Sequence, residues 1–140
     1  MITAIDTSVL IDILAKDPIH VESSRRLIVE AYDEGGLIIS EVVYAELTPQ
    51  YDLQPDLHSA LRQLGIRLVN SGFDAAYLAG RKWAEYRRAG GTRSRMIADF
   101  LIGAHAQIHA DRLLTRDRGF YASYFTDLDI LSHIIESDES

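Results

Sequence analysis

Short apolar runs alternate with longer stretches of helical periodicity along this chain. The short runs predict strands, because strands that are covered on both faces of a sheet are apolar at successive positions. Five of them lie at 2–5, 37–39, 66–69, 113–115 and 128–131. Between the strands, apolar residues recur at helical spacing over 9–14, 19–33, 41–48, 56–64, 74–89 and 95–109.

The alternation of strands and helices predicts a three-layer α/β/α fold with a central parallel sheet of about five strands. In such sheets the carboxyl ends of the strands meet at one edge, and ligands bind there. Three capping signals support the helix boundaries. Ser40 and Asp74 suit helix N-caps, and the Gly90–Gly91 pair suits a helix C-terminus. The strand order does not follow from this pattern.

The composition is that of an ordinary globular protein, with 47% hydrophobic and 25% charged residues in a chain of 140. This length suits one domain with a real core. No apolar run approaches the roughly 20 residues of a membrane helix, and the start lacks the basic segment of a signal peptide. We expect a cytoplasmic protein without membrane contacts, with one domain over 1–135 and an acidic tail at 136–140.

Charge is unevenly distributed along the chain. The net charge is −7, yet residues 81–118 contain nine of the fourteen basic side chains and only four acids. An acidic protein needs such asymmetry if one surface must meet phosphate, although solvated helix faces give the same pattern. Arg93, Arg95 and Arg116 are candidates for phosphate contacts. A solvated loop, or an ion pair between Arg95 and Asp99, is the alternative.

Two aspartates follow predicted strands. Asp6 comes directly after the first strand and is the only acid among the first eleven residues, and Asp117 comes just past the fourth strand. Such positions are also typical of caps and turns. Asp6, Thr7 or Ser8 could cap the following helix, and Asp117 could serve a turn.

Two further acids lie on predicted helices. Asp99 is the only acidic residue from 87 to 110, within a strongly apolar helix, so we expect its charge to be partly buried. A buried carboxylate costs several kcal/mol unless it is paired or bound to a cation. Glu46 lies on the helix after the second strand, where an exposed glutamate is also common.

The acids Asp6, Glu46, Asp99 and Asp117 can converge at one end of the sheet if the first and fourth strands are neighbours. Carboxylates that lie so close cannot all stay ionised without cations. The chain has no cysteine, which excludes disulfides, a thiolate nucleophile and cysteine-ligated zinc. Oxygen ligands alone select one or two Mg²⁺ or Mn²⁺ ions, which would activate a water for phosphodiester hydrolysis.

At four places the residues resemble the motifs of PIN domains. Asp6–Asp12 resembles the N-terminal signature, Ala45–Glu46 the second motif, Ala98–Ala106 the third and Leu114–Phe120 the fourth. Together the motifs span nearly the whole chain in the expected order. One departure is Ser8, where many relatives carry asparagine; a hydroxyl can make the same polar contact.

The resemblance implies a PIN fold, with strands in the spatial order third, second, first, fourth and fifth, and a metal-dependent endoribonuclease that cleaves RNA. Small stand-alone domains of this kind are most often VapC-type toxins of toxin–antitoxin pairs. This further implies a homodimer, blocked by an antitoxin tail across the acidic groove. The alternatives are an RNA-processing nuclease without an antitoxin and a non-catalytic PIN interaction module.

The resemblance also assigns roles at the site. Asp6 and Asp99 would be the principal metal ligands, and Glu46 and Asp117 would complete the acidic site directly or through water. Hydroxyl groups would orient the carboxylates or water: that of Thr7 or Ser8 in the first motif, and that of Thr115 in the fourth.

Other chemistry has weaker support. A receiver domain needs a lysine after its last strand, yet the only lysines are Lys16 and Lys82. A haloacid-dehalogenase-like phosphatase needs an aspartate where Ser8 stands, and a dinucleotide-binding domain needs a glycine-rich turn that is missing after the first strand. His105 and His109 have the spacing of zinc ligands without the accompanying glutamate, so a partly exposed helix face is the simpler interpretation.

Three aromatic residues, Tyr77, Trp83 and Tyr86, share one predicted helix. They could stack nucleic-acid bases. Aromatic residues grouped on a helix more often pack against the core, and we expect packing here.

Overall fold

The computed structural model describes residues 1–92 and 95–133. Within them, five strands form one parallel sheet: β1 Thr3–Ile5, β2 Leu37–Ile39, β3 Ile66–Leu68, β4 Arg112–Leu114 and β5 Asp129–Leu131. The strand order is β3-β2-β1-β4-β5, so β1 lies between β2 and β4. This confirms the predicted fold class and the strand order that the resemblance implied.

In the same residues, seven α-helices connect the strands: α1 Thr7–Leu14, α2 Val21–Glu34, α3 Glu41–Leu47, α4 Gln54–Gln63, α5 Gly72–Arg88, α6 Ile97–His109 and α7 Arg118–Tyr124. A 3₁₀ turn at Thr48–Gln50 follows α3. Helices α1 to α6 agree with the predicted ranges to within two residues. The prediction missed α7, which has seven residues and no side-chain cap, whereas the equally short α3 is marked by the cap at Ser40. None of the described helices is long and apolar enough to cross a membrane.

Capping explains where two of the helices begin. Ser40 caps α3 as predicted, since its hydroxyl oxygen accepts a hydrogen bond from the N–H of Val43 at 3.2 Å. The prediction for Asp74 was wrong. Helix α5 already begins at Gly72, with Ser71 as its N-cap, and Asp74 lies inside the first turn.

The predicted glycine pair ends α5. Gly90 adopts a φ of 82°, a left-handed conformation that favours glycine, and its N–H donates to the carbonyl of Arg87 at 3.1 Å. The N–H of Gly91 donates to the carbonyl of Tyr86 at 2.8 Å. These two bonds form a Schellman motif, which directs the chain from α5 toward α6.

The core explains why the inner strands are apolar. All residues of β1 and β2 are buried. Helices α5, α6 and α7 add an aromatic cluster of Tyr86, Phe100, Phe120 and Tyr124, whose ring centroids lie between 5.1 and 5.9 Å apart. Rings at this spacing attract each other beyond their buried area. The cluster therefore holds α6 and α7 together. Asp99 lies in the first turn of α6, and Asp117 is the N-cap residue of α7.

Two predicted features lie outside the described residues. One is Arg93, a candidate for a phosphate contact, and the other is the acidic tail at 136–140.

Candidate functional site

Asp6 lies at the carboxyl end of β1, beside β4. Its backbone N–H donates to the carbonyl of Leu114 at 2.9 Å, and the residue is only 8% exposed. Its Oδ1 accepts from the N–H of Thr7 at 2.8 Å, and its Oδ2 accepts from the hydroxyl of Thr115 at 2.6 Å. Asp6 is also the N-cap of α1, so the capping interpretation is correct as well.

Burial raises the pKa of Asp6 from 3.8 to about 6. The hydrogen bonds from Thr115 and Thr7 lower this pKa, and the negative charges of Asp99 and Glu46 raise it further. The ionised form of Asp6 is therefore less favourable than that of an ordinary aspartate in the folded protein without a cation. A cation bound to these carboxylates would remove that penalty.

Thr7 connects Asp6 to Glu46. Its hydroxyl donates to Oε1 of Glu46 at 2.6 Å, while its backbone N–H bonds to Asp6. Glu46 occupies an exposed position on α3, the helix that follows β2. The hydroxyl oxygen of the neighbouring Ser8 is buried and has no hydrogen-bond partner within the described ranges. A buried oxygen of this kind is expected to bind water or an ion's water shell.

Asp99 lies in the first turn of α6 and is partly buried, as predicted. Its Oδ2 accepts from the backbone N–H of Met96 at 3.1 Å, so it also stabilises the start of its helix. Its charge contributes to the raised pKa of Asp6, so the two carboxylates are near enough to repel each other.

Asp117 lies just beyond β4 and pairs with an arginine. Its backbone N–H donates to the hydroxyl oxygen of Thr115 at 3.0 Å, and its carboxylate forms an ion pair with Arg95. The hydrogen bond to Asp117 raises the pKa of Arg95, and the charge of Asp99 adds to this effect. The guanidinium carbon lies 4.2 Å from the ring centroid of Phe120, in a cation–π contact. The suggested pairing of Arg95 with Asp99 is therefore wrong.

The prediction missed Tyr121, which lies near the acids. Burial raises the pKa of its hydroxyl, and the charges of Asp6, Asp99 and Asp117 raise it further. Tyr121 belongs to α7, the helix without a periodic signal. The signal in the sequence was a tyrosine four residues after Asp117, about one helical turn further along the chain.

The prediction also missed a buried ion pair in the β4–α7 connection. Asp12 of α1 is 1% exposed and binds Arg116 twice, with Nη2 at 3.0 Å from Oδ1 and Nε at 2.9 Å from Oδ2. The hydroxyl of Ser24 donates to the same Oδ2 at 2.6 Å. An aspartate inside the apolar run of α1 was the available signal. Arg116, a predicted phosphate contact, is thus engaged within the protein.

The tightest group of metal-ligating atoms lies elsewhere. Within the described part of the chain, one ligand atom each of Asp12, Asp17 and His20 lies within 4.8 Å of the other two, whereas no three of the four candidate acids are grouped so tightly. The carboxylate of Asp12 is already bound to Arg116. We therefore do not assign a cation to that group.

The histidine pair is more deeply placed than predicted. His105 is 1% exposed, with Nε2 2.8 Å from the carbonyl oxygen of Val69. Nε2 of His109 lies 2.7 Å from the carbonyl oxygen of Ser71. The expectation of a partly exposed helix face is wrong for His105, because both rings hold the connection between β3 and α5.

The donor set around Asp6 fits a hard cation. Asp6, Glu46 and Asp99 contribute carboxylate oxygens; burial is the main cause of the raised pKa of Asp6, and the charges of Asp99 and Glu46 add to it. The side chains that bind the oxygens of Asp6 and Glu46 are the hydroxyls of Thr7 and Thr115. Such oxygen-rich surroundings suit Mg²⁺ or Mn²⁺.

Comparison with known families agrees with the four motifs. The sequence matches the PIN domain family over residues 3–125, a range that includes all four candidate acids. This protein belongs to the PIN-domain family. No curated protein sequence matches it significantly.

Solved structures share the PIN fold of this chain. One is VapBC2 from Rickettsia felis bound to a DNA fragment from their promoter, with a TM-score of 0.71 and 19% identity over 94% of this chain and 98% of that chain. VapBC-1 from nontypeable Haemophilus influenzae gives 0.69 and 20%, with the same coverage. FitAcB from Neisseria gonorrhoeae gives 0.62 and 23%, over 94% and 96%. At these identities the likeness establishes the fold alone.

Proposed function

We propose that this PIN-domain protein is a Mg²⁺- or Mn²⁺-dependent endoribonuclease that hydrolyses RNA phosphodiester bonds. The observation that carries the proposal is the environment of Asp6. It is buried at the carboxyl edge of the sheet, held by Thr7 and Thr115, and close enough to Glu46 and Asp99 for their charges to raise its pKa. Divalent cations offset this kind of carboxylate repulsion.

The acids divide into two pairs in this proposal. Asp6 and Asp99 are the principal metal ligands, and Glu46 and Asp117 complete the site directly or through water. One or two bound ions would activate the attacking water and stabilise the leaving oxygen.

Hydroxyl groups keep the carboxylates in position. Thr7 holds Glu46, and Thr115 holds Asp6 while it also receives the backbone N–H of Asp117. We propose that the buried hydroxyl of Ser8 binds a water of the site, since it has no partner among the described residues.

Basic side chains would meet the phosphates of the RNA. Arg95 is the best placed, because it lies beside Asp117 and its pKa responds to the charge of Asp99. Arg93 remains in the proposal as a second contact. Arg116 uses Nη2 and Nε to bind Asp12, so it could contact a phosphate only with its remaining N–H groups.

The biological role that fits best is the toxin of a VapC-type pair. Similar folds occur in VapBC assemblies and in a toxin–antitoxin complex from Klebsiella pneumoniae. We include in this proposal a homodimer, a cognate antitoxin that covers the acidic groove, and a cytoplasmic location where RNA is available. A net charge of −7 suits an antitoxin with a basic tail.

The test is cleavage of a mixed cellular RNA pool by purified protein with Mg²⁺, Mn²⁺ or EDTA. Asp6→Asn, which can still cap α1, and Asp99→Ala remove the proposed principal ligands. Asp33→Ala is the control, because it removes an exposed acid on α2. We expect discrete fragments that disappear with EDTA and with both site variants, and that persist with the control. Single-stranded DNA of matched sequence tests whether the substrate is RNA.

A protein that cleaves nothing in any metal, or that cleaves equally well without Asp6 and Asp99, would contradict the proposal. The acids would then act only as helix caps and ion-pair partners. The non-catalytic interaction module would become the better interpretation. Cleavage in a protein whose gene has no antitoxin partner would instead favour the RNA-processing nuclease.

A further inference from the structure

A cavity of about 360 Å³ lies between the end of α5 and the segment that leads into α6. Its lining residues are Trp83, Tyr86, Arg87, Gly91, Thr92 and Met96. The cavity adjoins the acidic site, because Met96 lines it and also donates its backbone N–H to the carboxylate of Asp99 at 3.1 Å. A ligand that spans both places would have one part in the cavity and another beside Asp99.

The walls of the cavity include two flat, electron-delocalised groups. The guanidinium carbon of Arg87 lies 5.1 Å from the centroid of the Trp83 ring. Trp83 is partly buried and packs against the core, which limits its motion. Flat aromatic rings with a neighbouring arginine are the surfaces on which proteins stack nucleic-acid bases.

Internal contacts shape the opposite side of the cavity. The hydroxyl of Tyr86 donates to the carbonyl of Thr92 at 2.6 Å, and the N–H of Gly91 donates to the carbonyl of Tyr86 at 2.8 Å. A side chain at Gly91 would lie about 2.5 Å from the Tyr86 ring, so only glycine fits this approach. These contacts hold Gly91 and Thr92 against Tyr86 on this side of the cavity.

Charge favours a nucleotide over a neutral apolar ligand. The second half of α5 carries Arg81, Lys82, Arg87 and Arg88 with one acid, Glu85. Basic residues also suit the C-terminal end of a helix, so charge by itself would not identify the ligand. The indole with its neighbouring arginine, next to carboxylates suited to phosphodiester chemistry, favours a nucleic-acid strand as the ligand.

We propose that this cavity binds one unpaired base of the RNA substrate, stacked against Trp83 and Arg87. The inference rests on the proposed function, since it places the base beside the bond to be cut. It predicts a preference for single-stranded or looped RNA, because a base within a duplex is already stacked on its neighbours.

Trp83 is the only tryptophan in the chain, so its fluorescence reports directly on the cavity. The ligands are a short oligoadenosine RNA, an abasic strand with the same number of phosphates, and the oligoadenosine paired with its complement. They are added to the Asp99→Asn protein in EDTA, which prevents cleavage. We expect saturable quenching by the single-stranded RNA and little by the other two. Equal quenching by the abasic strand, or none by any ligand, would overturn the proposal.

Matched variants separate the base contact from general changes of helix α5. In the Asp99→Asn background, Trp83→Leu should weaken binding of a labelled RNA about 5- to 100-fold, as for the loss of one stacked base. Tyr77→Ala is the aromatic control, because Tyr77 lies on the same helix, is 71% exposed and does not line the cavity. It should change binding by less than about twofold, as expected for a surface side chain without a contact.

Arg87→Ala and Arg88→Ala form a second pair with equal charge loss, and only Arg87 lines the cavity. Thermal unfolding checks that each variant folds. If Trp83→Leu folds and binds RNA as tightly as its parent, the proposed base site is contradicted, even if RNA cleavage supports the proposed nuclease activity. If no RNA is cleaved but Trp83 still discriminates bases, the base site stands and the proposed chemistry fails.

Discussion

The three aspartates of the candidate site differ in the groups that surround their carboxylates. Asp6 is buried, hydrogen-bonded by two threonines and subject to the charges of two other acids. Asp117 has an arginine as its partner, which offsets its charge. The charge of Asp99 affects both groups: it raises the pKa of Asp6 and the pKa of Arg95. Replacing Asp99 should therefore separate catalysis from stability.

We expect Asp99→Asn to lower cleavage about 100-fold or more, as for loss of a group that acts on the reacting centre. The metal-free protein should keep its stability or gain up to about 1 kcal/mol, because one of the repelling charges is removed. The asparagine oxygen can still accept the N–H of Met96. Unfolding midpoints of the Asp99→Asn and unmodified proteins in EDTA measure this change in stability. A large loss of stability would instead show that Asp99 belongs to a structural ion pair.

At the scale of elements, the connection between β4 and α7 joins two parts of the protein. Thr115 bonds to Asp6 and Asp117 bonds to Arg95, while Arg116 between them reaches Asp12 on α1. Successive side chains of an extended segment point in opposite directions, so Thr115 and Asp117 share one side and Arg116 points to the other. One short segment therefore serves the acidic site with two residues and anchors itself to α1 with the third.

Arg116→Ala should destabilise the protein by about 3–5 kcal/mol, because it leaves the buried charge of Asp12 without its partner. The double variant Asp12→Asn, Arg116→Ala should be less destabilised, since no orphaned charge remains. Urea unfolding of the single and double variants in EDTA measures both. If Arg116→Ala leaves stability unchanged and weakens RNA binding, the predicted phosphate contact is the better account of this residue.

At the scale of the whole molecule, positive charge is concentrated where the candidate site lies. Residues 81–118 are net positive in a chain with a net charge of −7. This segment includes the second half of α5, all of α6 and the whole of β4. It contains Arg95 and all the residues that line the cavity beside Trp83. RNA is therefore expected to approach over α5 and α6 and to avoid the acidic remainder of the surface.

Replacing Arg93 and Arg95 together with alanine should weaken RNA binding and reduce the slope of log K against log salt by about 1.4, since each lost phosphate contact contributes about 0.7 on a single strand. Arg25→Ala with Arg26→Ala is the control, because it removes the same charge from exposed positions on α2. The measurement uses the Asp99→Asn protein at several salt concentrations. An unchanged slope would mean that the RNA path lies elsewhere.

Much of the fold was predictable because its signals are local. Apolar runs marked every strand, and helical periodicity with caps marked α1 to α6 within two residues. The short helix α7 carried no such signal, and Tyr121 was missed with it. Of the four acids only Asp99, within an apolar helix, was unusual by itself; the other three were recognisable by their joint placement and by the motifs that contain them. Strand order came from the family resemblance and not from the pattern.

The sequence by itself determined the strands, the main helices and the family, and it indicated the four candidate acids, because these signals depend on residues that are close along the chain. Only the tertiary structure decided the partners of those acids. Arg95 pairs with Asp117, 22 residues away, and Arg116 reaches Asp12, 104 residues away. Such contacts depend on how strands and helices pack in space. Many pairings are compatible with one local pattern, and packing of the whole core selects among them.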